Sequence, residues 1–155
     1  MFEYHSRIIS TLNAMDRELK EMLPEETRLL FIDEDYVNYI YFNELLSNSG
    51  AEIINAVSIP QAIYKLKFEK GIKIIFISAG FAENYNFPII RYLKDKFLLI
   101  PIVTILDEQS NDLQQKCFDE GSDYCFNRHL DSNHLTKSIR DILASLLYTK
   151  YLINK

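Results

Sequence analysis

The sequence predicts an α/β domain, a doubly wound parallel sheet with helices on both faces. Two observations predict it. Short unbroken apolar runs, "LLFI" from Leu29, "IIFI" from Ile74 and "IVTIL" from Ile102, alternate with segments of helix length. A strand that is apolar at every position, rather than at every second one, is buried on both faces, as strands of parallel sheets are. Stop signals follow the intervening segments, with Gly50 and Gly71 placed where helices end. Helix-length crossovers favour parallel pairing, and their right-handedness places helices on both faces.

Each element has its own signal. In residues 2–23, Ile8, Leu12, Met15, Leu19 and Met22 recur at alternating steps of four and three, the spacing of a helix that buries one narrow stripe. Leu23-Pro24 ends it, because proline pushes the preceding residue out of helical geometry. Residues 1–24 are therefore read as a leading amphipathic helix, and 25–155 as the domain proper. "RLLFIDED" is a strand running into acids. "YVNYIYFNELLSNSG" is a helix with Val37, Ile40, Tyr41 and Leu45 along one side. "AEIINAV" is the second strand. "IPQAIYKLKFEKG" is a helix with Pro60 in its first turn, where a missing N–H does no harm. "IKIIFIS" is the third strand, "AGFAENYN" a loop and "FPIIRYLKDK" a helix. "LLIPIVTIL" is the fourth strand, "EQSNDLQQKCFDEG" a helix and "SDYCFN" the fifth strand. From Asp131 onward the chain reads as one long helix. Leu135, Ile139, Ile142, Leu146 and Ile153 form one stripe on it, and Leu143, Leu147 and Tyr151 a second beside the first.

Composition excludes several function classes. A chain of 155 residues, 48% hydrophobic, supplies one core without disulfides or metal. A net charge of −5 argues against nucleic acid as a partner. No apolar run approaches the length of a membrane span, and no signal peptide is visible. Cys117 and Cys125 have no metal-ligand spacing and read as ordinary reduced thiols of a cytoplasmic protein. No Gly-rich phosphate loop follows the first strand, and no nucleophile stands with a base, so neither an enzyme nor a cofactor is expected.

In a sheet of this kind chemistry gathers at the carboxyl ends of the strands. Those positions are Asp33, Glu34 and Asp35, then Ser78, Leu106, and Asn127 with Arg128. "LLFIDED", "AEIINAVSIPQAI", "IPIVTIL" and "EGSDYCFNRH", in this order and spacing, resemble the receiver domain of two-component response regulators. The resemblance runs from about Arg28 to Leu146. It implies a flavodoxin-like sheet with strand order 2-1-3-4-5.

It also implies a phosphorylation pocket, which this sequence departs from. Asp33 and Glu34 keep the family's acidic pair. Ser78 stands where the phosphoacceptor aspartate belongs, Leu106 where a hydroxyl belongs, and Arg128 where a lysine belongs. Cys125 falls at the switch aromatic. Serine offers no carboxylate to a phosphoryl group or Mg²⁺. Leucine donates no hydrogen bond to a phosphoryl oxygen. A guanidinium is not the point charge that an ammonium is. Arg128 is instead expected to pair with Asp33 or Glu34.

The reading is a phosphorylation-independent pseudo-receiver, a protein–protein interaction and signalling module that engages a histidine kinase or another regulator. Two rivals stand beside it: an atypical active receiver using Asp33 or Asp35 with Mg²⁺, and a metal-dependent hydrolase on the same fold. The apolar stripe of the leading helix and the second stripe of the last helix are expected to pack together, within one chain or between two copies as a homodimer.

Overall fold

The structure is a computed structural model; it describes residues 27–47, 49–128 and 135–153, with the side chains of Leu135 and 146–153 left aside. The leading stripe at Ile8, Leu12, Met15, Leu19 and Met22 lies outside the described residues.

The sheet has five parallel strands in the order β2-β1-β3-β4-β5: β1 Arg28–Ile32, β2 Glu52–Ala56, β3 Ile72–Ser78, β4 Ile102–Leu106 and β5 Tyr124–Asn127. The helices are α1 Tyr36–Leu45, α2 Ile59–Phe68, α3 Ala79–Asn84, α4 Pro88–Lys96, α5 Asn111–Asp119 and α6 Leu135–Ile153. The apolar runs occupy the centre as expected. Leu29, Leu30, Ile32, Ile74, Ile75 and Ile77 are completely buried.

Alternate residues of each strand feed two separate cores. Phe31, Phe76, Val103, Ile105 and Phe126 meet α1 and α6 on one face. Leu30, Ile32, Ile75, Ile77 and Ile102 meet the other helices on the opposite face. On the first face Phe42 of α1 stacks on Phe31, with ring centroids 4.8 Å apart, and stands at the same distance from Phe76.

Three expectations are corrected. The side of α1 marked by Val37, Ile40 and Tyr41 is exposed, at 68%, 45% and 37%, and the buried anchor is Phe42. "AGFAEN" is a helix rather than a loop, because the Ser78 hydroxyl accepts the Phe81 N–H at 3.2 Å and caps it. Strand β4 begins at Ile102, leaving Leu98 and Leu99 exposed. Pro101 has no N–H to give the ladder, and the Asp123 carboxylate takes up the Ile102 N–H at 2.8 Å.

The second stripe on the last helix is also revised. Leu143 is buried with Ile139 and Ile142 in the sheet core, so it is not a separate exposed seam residue. The side chains of Leu147 and Tyr151 are outside those described.

Candidate functional site

The carboxyl ends of β1, β3, β4 and β5 meet at a pocket whose polar lining is Asp33, Asn38, Ser78, Asp107 and Arg128, with Tyr41 on its wall. Asp35 sets its shape. It caps α1 by accepting the Val37 N–H at 3.0 Å, which fixes where the first helical turn lies over the strand ends.

Asp33 is only 4% exposed. Both of its carboxylate oxygens have partners: Oδ1 accepts the Asp35 N–H at 3.0 Å, and Oδ2 accepts the Asn38 Nδ2–H at 2.9 Å. At the other end of the same amide, Asn38 Oδ1 accepts Arg128 Nη1–H at 2.9 Å. Asn38 thus bridges the carboxylate to the guanidinium. Arg128 lies over the Tyr41 ring, 4.1 Å from its centroid, and Nη1 is 3.4 Å from the Asp107 carboxylate.

The expected pairing of Arg128 with Asp33 or Glu34 is therefore corrected. Tyr41, three residues beyond Asn38 on α1, holds the guanidinium over its ring, and the ionic partner is Asp107. Glu34 is exposed and turns toward α3, where its Oε1 accepts Asn84 Nδ2–H at 3.4 Å. The two members of the acidic pair diverge.

Ser78 lies beside the pocket, and its hydroxyl serves α3. Leu106 does not line the pocket. Strand residues alternate faces, so Ile105 lines it while Leu106 lines a separate cleft beside Gln114 and Cys125. The same alternation places Phe126 on the pocket and Cys125 on the α5 side.

The open space left in the pocket is about 20 Å³, room for about one water. The donors present do not fit the Mg²⁺ that the resemblance implies. Asp33 has both oxygens engaged, Glu34 points away, and Ser78 is a neutral cap. Among the described residues no three of His, Cys, Asp and Glu gather as a metal site.

Sequence reasoning missed Asn38, Tyr41 and Asp107. Asp107 was findable, as the acid directly after β4. Asn38 had one signal, a polar side chain in the first turn of a helix that starts over the strand ends.

No protein-family model matches the chain, and no curated protein matches it. Solved structures do. A response regulator from Thermotoga maritima is 18% identical, with a TM-score of 0.68, covering 77% of this chain and 98% of that one. A two-component response regulator from Clostridium difficile is 21% identical, with a TM-score of 0.67, covering 77% and 97%. A CheY-like response regulator receiver domain protein from Methanospirillum hungatei JF-1 is 13% identical, with a TM-score of 0.66, covering 81% and 99%. Strand order, crossover pattern and these likenesses agree: the chain has the flavodoxin-like fold of response-regulator receiver domains.

Proposed function

We propose that this chain is a phosphorylation-independent pseudo-receiver in the cytoplasm, a signalling module that acts by binding protein partners, a histidine kinase or another regulator among them. The observation that carries the reading is the Asn38 bridge. An amide occupies the space between Asp33 and Arg128, and every polar group around it has a structural partner. A phosphoryl acceptor needs a free carboxylate and room for the incoming group, and Asp33 has neither: both of its oxygens are engaged and about 20 Å³ stands open beside it.

The partner surface in this reading is the outer side of α1. Tyr36 is 62% and Val37 68% exposed, and Ile40 stands one turn on. Apolar side chains clustered on one helix face beside a filled site favour contact with another protein over a small ligand. The apolar stripes read in the sequence at the two ends of the chain are a second contact in this reading, within one chain or between two copies.

Incubation with acetyl phosphate and Mg²⁺ followed by intact mass tests the first part. The expected result is an unchanged mass. A gain of one phosphoryl group overturns the reading and returns Asp33 or Asp35 as acceptor. The hydrolase alternative gains no support, because both Asp33 oxygens are spent on backbone and amide hydrogen bonds and Asp35 Oδ1 caps α1.

A further inference from the structure

Leu98 and Leu99, in the turn before β4, are 67% and 88% exposed, and Tyr124 at the start of β5 is 41% exposed. With Pro101 and Ile142 they line a cleft of about 390 Å³. A second cleft of about 370 Å³ continues from it between β5 and α6, sharing Tyr124, Ile142 and Ser145. Apolar surface of this size beside an edge strand favours a cover. The strand register places it. Leu30, Ile75 and Ile102 stand on one level of the sheet, and Phe31, Phe76, Val103 and Tyr124 on the next. The cleft is therefore at the amino ends of the strands, the end at which the chain enters β1 after Thr27. Helix α6 passes the same end and runs on from Ser145 to Ile153, about 12 Å further.

We infer that the leading segment of the same chain covers this cleft, its stripe of Ile8, Leu12, Met15, Leu19 and Met22 seated on Leu98, Leu99 and Tyr124 alongside α6. Residues 1–26 precede Thr27, and Met22 is five residues before it, a reach of about 17 Å when extended. In the order β2-β1-β3-β4-β5, β4 and β5 are two and three strand spacings from β1, about 10 and 14 Å. From Ile8 to Met22 a helical stripe is about 21 Å long, enough to cross the cleft and meet α6. The connecting residues carry Glu25 and Glu26, and the sheet end they cross carries the exposed Lys73, of opposite sign. Two other apolar faces are less suited. Tyr36 and Val37 stand in the first turn of α1, at the carboxyl end of the sheet, away from Thr27. Tyr64 and Phe68 of α2 already cover each other in part, with ring centroids 4.8 Å apart. A strap at the amino end leaves the strand-end pocket and the outer side of α1 open to a partner.

The seating depends on the helix read in residues 2–23 and not on whether the strand-end pocket accepts phosphate, which acetyl phosphate tests separately. The chain has no tryptophan, so a single one reports on the cleft. In the full chain, Leu99→Trp is expected to give blue-shifted fluorescence and several-fold weaker quenching by acrylamide than the same reporter combined with Leu12→Gln and Met15→Gln. Glutamine keeps helix propensity while removing the apolar stripe. The protection is expected to persist on dilution, because the cover belongs to the same chain. A Phe68→Trp reporter on α2 is expected to be quenched equally with and without the two glutamines, which separates local uncovering from unfolding. A Leu99→Trp reporter quenched alike with and without the stripe overturns the inference. So does protection lost on dilution, which gives the cleft to a second copy, or a response at Phe68→Trp in place of Leu99→Trp.

Discussion

Asn38 shows how one side chain can tie two charged groups at the strand ends into one structural unit. Its amide presents a donor to a carboxylate and an acceptor to a guanidinium, which neither Asp33 nor Arg128 could supply to the other across that gap. Asn38→Ala removes both bonds and leaves a buried carboxylate oxygen short of a partner. The expected loss is about 2 kcal/mol in urea denaturation. Ser78→Ala removes the α3 cap and is expected to cost about 1 kcal/mol. Ser78→Asp keeps a capping oxygen, since aspartate caps as well as serine. This variant is still expected to gain no phosphoryl mass with acetyl phosphate and Mg²⁺, because Asn38 and Arg128 continue to fill the pocket. The capping role of Asp35 was legible from its place between a strand and a helix. The Asn38 bridge was not, because it joins residues 90 positions apart in the sequence.

At the scale of elements, α1 is the instructive helix. Its segment "YVNYIYFNEL" is apolar on nearly every side, so periodicity alone does not choose the buried face. The sheet chooses it: Phe31 and Phe76 leave a slot that one ring fills, and Phe42 is the ring in register with it. Phe42→Ala is expected to cost about 3 to 5 kcal/mol. Val37→Ser, at a position the sequence placed on the helix's apolar side, is expected to stay within about 0.5 kcal/mol of the parent. Urea melts of the two variants decide between the faces. For α3 the local signal existed, a serine three residues before the N–H it caps, but the apolar strand in front of it read more strongly. Helix α5 was legible in extent, while its slender attachment through Cys117 became visible only once β5 was beside it.

For the whole molecule, the question is how many copies act together. The stripe at Ile8, Leu12, Met15, Leu19 and Met22 is a surface that water disfavours. If the stripe joins two copies, light scattering of the intact chain gives a dimer and of residues 25–155 a monomer; equal monomeric masses end the dimer reading and leave the stripe packed within one chain. Among the described residues no helix is long and apolar enough to cross a membrane.

The sequence by itself determined the number of the strands and their succession along the chain, because the central strands, buried on both faces, are apolar at nearly every position and that signal is local. It also determined the chemistry available at two strand ends, since a serine or a leucine carries no carboxylate wherever it is placed. Only the tertiary structure decided what the remaining polar groups do. Whether Arg128 meets Glu34 or Asp107, and whether Leu106 or Ile105 faces the pocket, depends on how strands far apart in the chain are set side by side, a property of the packed sheet and not of any one segment.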